Sequence, residues 1–168
     1  PLFKHIFTRA DFVQAISYYL GSWARDMGFV GPLAIIPNGV AIAHFAKEHP
    51  VQELDALKTK LGKKQGDVYL ITTSRLVKKN AVDDVIKALV QLPANVKFLV
   101  LGIGPDETML KSLAQEIGVE KRVLFLGNRN DMPEVYSACD VTVLTSSREG
   151  TPNVLLESMA CGVPIIAT

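Results

Sequence analysis

The sequence of 168 residues lacks the features of a membrane-spanning, secreted or nucleic-acid-binding protein. Its 18 basic and 17 acidic side chains nearly cancel, so bulk charge favours neither nucleic acid nor a membrane surface as a partner. No apolar run reaches the roughly 18 residues of a membrane span, and the first residues lack the layout of a signal peptide. These absences predict a cytoplasmic protein and leave open a peripheral membrane association of the full-length protein.

Cysteine is scarce, and its spacing does not suit a metal site. Cys139 and Cys161 are the only cysteines, and both lie in apolar, helix-like contexts. The CxxC or Cys/His spacing of a zinc site is missing around them. Both are therefore predicted to be buried free thiols.

Short apolar runs and helix-like segments alternate from Val68 onward. The runs are rich in β-branched residues and lack polar alternation, which is typical of strands buried on both faces. They are VYLITTS (68–74), VKFLVLG (96–102), VLFLG (123–127), VTVLTS (141–146) and VPIIAT (163–168). The helix-like segments are AVDDVIKALVQL (81–92), ETMLKSLAQEIG (107–118), MPEVYSAC (132–139) and NVLLESMAC (153–161). This order predicts an α/β fold, a Rossmann-like parallel sheet with helices on both faces.

The first third of the chain has a different pattern. ADFVQAIS (10–17) predicts a strand that leads to a helix start at Ser17, and the helix ends at Gly28. VGPLAIIPNGVAIAHF (30–45) is dense in Gly and Pro and is interpreted as a connector or domain boundary. We expect residues 1–31 to be the strand-plus-helix tail of a preceding domain. Residues 32–168 would form the main domain, incomplete at its C-terminus.

Basic and glycine-rich segments follow two of the predicted strands. Arg75, Lys78 and Lys79 come directly after the strand at 68–74, at the edge of a parallel sheet where ligands usually bind. A planar guanidinium beside an ammonium suits a diphosphate. The alternative is that these cations are merely solvated. In LGIGPDE (101–107), two glycines precede a helix, as in part of a dinucleotide-binding motif or in a plain tight turn.

Two further strand ends carry candidate binding residues. Asn128 and Arg129 follow the strand at 123–127, where exposed backbone would meet a flat ring or form a solvated loop. In SREGTPNVLLE (147–157), Glu149 and Glu157 flank a turn and a helix start, whose dipole favours an anion. Either glutamate alone would ordinarily face water. Thr151 suits the cap of this helix and Pro152 its first residue. The turn would direct the backbone amides of Gly150, Thr151, Asn153 and Val154 toward a ligand above the helix start; Pro152 has no amide proton.

These segments together resemble a known enzyme family. SREGTPNVLLESMACGVPIIAT, with FLGNRNDMPEVYSACDVTVLTSS before it, closely resembles the nucleotide-sugar half of retaining glycosyltransferases of the GT-B fold, in their family four. The two glutamates, which are separated by seven residues, are similar to that family's signature. SRLVKKN resembles its phosphate-binding strand end, and IPNGV resembles the crossing into its second domain. The resemblance covers nearly the whole chain.

The resemblance implies roles for individual residues. Glu157 would accept hydrogen bonds from the nucleotide ribose, and Glu149 would lie near the transferred sugar. Arg75 and Lys79 would hold the diphosphate, helped by amides of residues 150–154. The backbone around Asn128 and Arg129 would meet the base.

Two departures from the family pattern affect these assignments. Members often carry Lys-Gly where this chain has Asn80 and Ala81, so Lys79 is preferred for the ammonium role while Lys78 stays open. The usual Asn-Gly-Val-Asp is NGVA here, which leaves Ala41 without a carboxylate.

The resemblance also implies how the reaction would proceed. The donor would be a nucleoside-diphosphate sugar, the acceptor a hydroxyl of a sugar, lipid-linked sugar or small molecule, and no cofactor would be needed. No Asp-x-Asp motif stands at a strand end, in keeping with transferases that neutralise the diphosphate with Arg, Lys and helix amides. His5, His44 and His49 match no family motif and are expected to be surface or structural.

The resemblance also bears on the activity of this chain alone. The acceptor-binding domain would lie before Pro1, so this chain is expected to bind a nucleoside diphosphate without transferring sugar. A nucleotide-sugar epimerase of the same fold and a non-catalytic nucleotide-binding or signalling module are the alternatives. The sequence names neither the base, the sugar nor the acceptor.

Overall fold

The computed structural model describes residues 2–147 and 149–168, which divide into two compact units. The N-terminal unit comprises residues 2–39 together with 149–153. The sheet unit comprises residues 40–147 together with 154–168. None of the helices in these residues combines the length and apolar character that a bilayer crossing requires. The assignment of residues 1–31 and 32–168 to two domains stays a prediction.

The N-terminal unit contains two helices and two short parallel strands. They are α1 (Leu2–Phe7), β1 (Val13–Ala15), α2 (Tyr18–Asp26) and β2 (Leu33–Ile35), and β1 pairs with β2. As predicted, α2 begins after Ser17, whose hydroxyl accepts a hydrogen bond from the Leu20 amide at 3.3 Å. Gly28 follows the helix with φ +91°, a conformation that favours glycine.

From Val68 onward the sheet unit alternates strands and helices as the sequence predicts, and two helices that were not predicted precede this part. Its elements are α3 (Ile42–Phe45), α4 (Val51–Lys60), β3 (Val68–Thr73), α5 (Val82–Ala88), β4 (Val96–Leu101), α6 (Glu107–Glu116), β5 (Val123–Gly127), α7 (Met132–Ala138), β6 (Val141–Leu144), α8 (Asn153–Ala160) and β7 (Ile165–Ala167). The five strands form one sheet in the order β5-β4-β3-β6-β7, and all paired neighbours are parallel. The predicted Rossmann-like fold class is confirmed.

Both faces of this sheet are covered by apolar side chains. Within β4, Phe98 packs into one buried cluster and its neighbour Leu99 into the other, because successive strand residues point to opposite faces. Helices α5 and α6 contribute to the first cluster, and α7 contributes to the second. The central strands are therefore apolar without alternation because each face needs an apolar partner.

Residues 30–45, interpreted as a connector or boundary, contain two regular elements that the sequence analysis did not predict. The segment contains strand β2 and the short helix α3. Three strand residues between Pro32 and Pro37 are too few for a periodic pattern, so pairing with β1 decides their conformation.

Candidate functional site

The carboxyl ends of β3, β4, β5 and β6 lie along one edge of the sheet unit. Backbone hydrogen bonds continue beyond the strand ends: the Ser74 amide donates to Leu101 O at 3.0 Å, and the Gly102 amide donates to Gly127 O at 2.8 Å. The loops that follow the strands are therefore aligned by the same ladder that aligns the sheet. In open α/β sheets this edge is where ligands usually bind.

A pocket of about 380 Å³ opens at this edge. It is lined by Thr73, Ser74, Arg75, Gly102, Ile103 and Asn128. Its volume lies in the usual range for small-molecule sites, which is roughly 300–1,000 Å³. Arg75 is exposed at the pocket, whereas the buried Ser74 Oγ has no hydrogen-bond partner among the described residues. An exposed guanidinium at the pocket suits an anionic, oxygen-rich ligand.

The glycines of LGIGPDE are required by the close packing of two backbone segments. A Cβ built on Gly102 would lie 2.1 Å from Ser74 O, and one built on Gly104 would lie 2.2 Å from Leu76 O. Gly102 also has φ +112°. The glycines therefore allow the β4 loop to approach the β3 loop, and Gly102 itself lines the pocket.

The turn that carries the lysines is fixed by buried hydrogen bonds. Lys78–Asn80 form one turn of 3₁₀ helix, in which both lysines are exposed. The Asn80 side chain is buried; its Nδ2 donates to Arg75 O at 2.6 Å, and its Oδ1 accepts from Ser146 Oγ at 3.4 Å. The Ser147 amide donates to Lys79 O at 2.8 Å. The loop after β6 thus holds the backbone of the basic turn in place.

Ala81 adopts the backbone conformation that the family's glycine would favour. Its φ of +48° and ψ of +39° lie in the left-handed region. The next residue begins α5, so this single left-handed residue separates the basic turn from the helix. The departure from Lys-Gly therefore places an alanine in a conformation that glycine adopts more easily.

Arg129 uses its side chain within the fold. Its Nε donates to Asp131 Oδ1 at 2.8 Å, and its NH2 group also pairs with Asp131 Oδ2. The hydrogen bond from Arg129 holds the pKa of Asp131 below its usual range. Asp131 precedes α7, so the pair stabilises the loop beside Asn128. The guanidinium of Arg129 is thereby engaged within its own loop.

Glu157 is half-buried on α8 and contacts a buried tyrosine. Its Oε2 lies 3.3 Å from the hydroxyl of Tyr136 on α7. The same hydroxyl lies 3.3 Å from Oγ1 of Thr73, which lines the pocket. The structure therefore links Glu157 to the pocket wall through Tyr136.

Residues 149–153 belong to the N-terminal unit by their contacts, and Arg148 of the same motif lies outside the described residues. Thr151 Oγ1 donates to Ile16 O at 3.1 Å, and Thr151 O accepts from Asn38 Nδ2 at 2.8 Å. Helix α8 begins at Asn153, so the prediction of Thr151 as its cap and Pro152 as its first residue was wrong by one position. The hydroxyl of Thr151 bonds to Ile16 instead of a helix amide.

The structure brings some of the predicted residues together and adds others. Arg75 and Asn128 line the same pocket, whereas its described lining includes neither Lys78 nor Lys79. Glu149 and Gly150 are exposed residues of the 149–153 segment. Thr73, Ser74, Ile103 and Tyr136 were missed by the sequence analysis. Their positions at strand ends could have indicated the first three.

The remaining cysteines and histidines make structural contacts or lie at the surface. Cys139 is buried and Cys161 is half-buried, and both are free thiols. His5 and His44 are exposed, while His49 is nearly buried with Nδ1 3.7 Å from Glu134 Oε1. Within residues 2–147 and 149–168, no cluster of three or more His, Cys, Asp or Glu is arranged to hold a metal ion.

Comparison with known proteins identifies relatives of similar sequence. Residues 54–168 match the family described as Glycosyl transferases group 1. One relative is the GDP-mannose-dependent monoacylated alpha-(1-6)-phosphatidylinositol monomannoside mannosyltransferase of Corynebacterium glutamicum. The two sequences are 31% identical over 177 residues, and the alignment covers 98% of this chain and 46% of that protein. This chain is also 35% identical over 119 residues to the N-acetyl-alpha-D-glucosaminyl L-malate synthase of Bacillus anthracis. That alignment covers 70% of this chain and 31% of that protein. The chain spans less than half the length of these relatives.

Solved structures with the same fold include nucleotide-sugar complexes. The structure of Anabaena HepE in complex with UDP-glucose has a TM-score of 0.88 and 27% identity, covering 97% of this chain and 46% of that chain. WaaG, a glycosyltransferase involved in lipopolysaccharide biosynthesis, has a TM-score of 0.81 and 23% identity, covering 92% of this chain and 43% of that chain, and supports the fold alone.

Proposed function

The chain belongs to the glycosyl transferases group 1 family, and from this membership we propose that it is the donor-binding part of a retaining glycosyltransferase. The enzyme would move a sugar from a nucleoside-diphosphate sugar to a hydroxyl acceptor. The retaining course and the place of this chain in the C-terminal half rest on the resemblance of its two-glutamate motif. Transfer in the whole protein is part of the proposal because the chain spans less than half of its curated relatives.

The pocket at the carboxyl edge of the sheet unit is the observation that carries this proposal. Arg75, Ser74 and Asn128 line this one cavity. A diphosphate would accept from Arg75, and a base would lie against the loop at Asn128. The HepE structure of similar fold was determined with UDP-glucose, which supports a nucleotide sugar as the ligand class.

The leaving group would be stabilised by cations. When the bond between the sugar and the diphosphate breaks, negative charge grows on the departing phosphate oxygens. Arg75 would neutralise part of it by two parallel hydrogen bonds, and Lys79 would act as a point charge. Because the backbone of both residues is held by Asn80 and the loop after β6, little reorganisation is needed during the reaction.

The two glutamates would have different roles in this proposal. Glu157 would accept hydrogen bonds from the ribose hydroxyls, and Glu149 would face the sugar, where positive charge develops. Residues 150–154, apart from Pro152, would offer backbone amides to the donor. The base, the sugar and the acceptor are not assigned, although a sugar or lipid-linked sugar acceptor is in keeping with relatives such as the mannosyltransferase above.

Titration calorimetry with UDP, GDP, ADP and the matching nucleosides tests the proposal. The chain should bind at least one nucleoside diphosphate more tightly than its nucleoside. Arg75→Ala should weaken diphosphate binding by about 10- to 150-fold, the equivalent of roughly 1.5–3 kcal/mol for a charged hydrogen bond, and should hardly change nucleoside binding. Lys121→Ala removes the same charge from an exposed turn before β5 and is the matched control.

Two results would reject parts of the proposal. Equal losses of nucleoside and diphosphate affinity in Arg75→Ala would separate Arg75 from the phosphates. Conversion of a nucleotide sugar to its epimer, with no acceptor present, would favour the epimerase alternative. The relatives compared above are named as a mannosyltransferase and a glucosaminyl malate synthase, which favours transfer.

A further inference from the structure

Tyr136 combines complete burial with a polar contact to a proposed ligand-binding residue. Its side chain has no exposed surface, yet its hydroxyl lies 3.3 Å from both Thr73 Oγ1 and Glu157 Oε2. All three residues belong to the sheet unit. A phenylalanine would fill the same apolar space, so packing alone does not require the hydroxyl.

The chemistry of the three groups fixes the direction of the hydrogen bonds. A carboxylate only accepts, so the Tyr136 hydroxyl donates its single proton to Glu157. The Thr73 hydroxyl then donates to the oxygen of Tyr136. Burial, followed by the nearby negative charge of Glu157, raises the pKa of Tyr136 well above its usual value. The tyrosine therefore keeps its proton and stays a donor over the working pH range.

The Thr73–Tyr136–Glu157 relay of hydrogen bonds connects the end of β3 with the second turn of α8. Thr73 is the last residue of β3 and lines the pocket, and Glu157 stands on the helix that follows the signature turn. Both ends of the relay are carried by regular elements, whereas a glutamate side chain alone rotates about several bonds. Ordering such a side chain only on ligand binding lowers affinity.

We propose that Tyr136 is a positioning residue that holds the Glu157 carboxylate in the orientation that accepts the ribose hydroxyls. The inference rests on the proposed function, because it requires Glu157 to bind ribose. Tyr136 occupies Oε2 and leaves the other carboxylate oxygen and the remaining lone pairs to the ligand. The distance of 3.3 Å is long for an O–H···O bond, and we expect it to shorten when ligand binds.

Tyr136→Phe and the control Tyr69→Phe test this role. Tyr69 is also fully buried, but its hydroxyl donates to Leu61 O at 2.9 Å, away from the pocket. Both variants lose one buried tyrosine hydroxyl, so thermal unfolding should show similar losses. Affinities are measured for the tightest of UDP, GDP and ADP and for its 2′,3′-dideoxy analogue.

The expected result is a selective loss of ribose recognition. Tyr136→Phe should bind the ribonucleotide about tenfold more weakly, as for a lost hydrogen bond to a charged group, and the dideoxy analogue less than about twofold more weakly. Tyr69→Phe should change neither affinity. In a Glu157→Gln background, Tyr136→Phe should add little, because the group that it positions has already been altered.

Thr73→Val supplies a second route if Tyr136→Phe does not fold. It removes the hydroxyl that orients the tyrosine proton, and a smaller loss of the same ribose preference is expected. The positioning role would be overturned if Glu157→Gln lost the ribose preference while a folded Tyr136→Phe or Thr73→Val protein kept it in full. The proposed function would stand in that case. No binding of any of the three diphosphates by the unmodified chain would overturn both.

Discussion

Replacing Gly102 by alanine should destabilise the protein and distort the pocket because the added Cβ clashes with neighbouring backbone. A control variant separates this clash from the backbone strain of a positive φ. The added Cβ would lie 2.1 Å from Ser74 O, so one of the two backbone segments would have to move. The φ of +112° is also unfavourable for any side chain. Gly118→Ala is the matched control, because Gly118 also has a positive φ, +73°, but its Cβ would meet nothing within 4 Å.

The two variants should differ by several kcal/mol in the free energy of unfolding. Backbone strain at Gly102 costs about 1–3 kcal/mol and the forced shift of the neighbouring backbone about 1–3 kcal/mol more, for a sum of about 4 kcal/mol. Gly118→Ala should cost about 1 kcal/mol, since only its left-handed conformation is penalised. With a urea m-value of about 2 kcal/mol/M, the midpoints should fall by about 2 M and about 0.5 M.

Urea unfolding followed by far-ultraviolet circular dichroism measures both midpoints. Calorimetric titration with a nucleoside diphosphate then shows whether a folded Gly102→Ala protein has lost affinity, which we expect because Gly102 lines the pocket. Equal midpoints for the two variants would refute the close packing of the β3 and β4 loops, and with it the shape of the pocket.

Two further predictions concern buried polar groups. Asn80→Ala removes the hydrogen bond to Arg75 O, so the free energy of unfolding measured in urea should fall by about 1–3 kcal/mol. The variant should also bind a nucleoside diphosphate more weakly, with a smaller effect on the nucleoside. Unchanged diphosphate affinity would show that Asn80 does not hold the basic turn. Burial raises the pKa of Cys139 to about 12, so iodoacetamide at pH 8 should modify half-buried Cys161 first and Cys139 only after unfolding. Mass spectrometry of the labelled protein checks the order, and rapid native labelling of Cys139 would contradict its burial.

The sequence predicts the sheet unit well because its signals are local and long. Strands such as β3 and β4 each have six residues and are apolar on both faces, a pattern that few other structures share. Strand β2, by contrast, has three residues, and its conformation depends on pairing with β1. Helices α5 to α8 were predicted from the helical spacing of their apolar residues, whereas α3 and α4 were not predicted.

The candidate site was predictable where it depends on strand ends and not where it depends on distant contacts. Arg75 and Asn128 follow strands directly, so topology alone places them at one edge. Thr151 was expected to cap α8, but its hydroxyl bonds to Ile16, 135 residues away in sequence. The contact of Tyr136 with Glu157 likewise depends on how two helices pack, which no local pattern encodes.

The site of nucleotide binding is tested most directly by the amide chemical shifts of the chain, recorded by nuclear magnetic resonance during titration with UDP, GDP or ADP. If the donor binds at the carboxyl edge, the largest shifts should come from Gly102, Ile103 and Asn128, which line the pocket. Gly118 and Gly162, which follow helices α6 and α8 on the opposite edge, should stay unchanged. Largest shifts at Gly118 and Gly162, with none at the pocket, would contradict a donor site at this edge of the sheet.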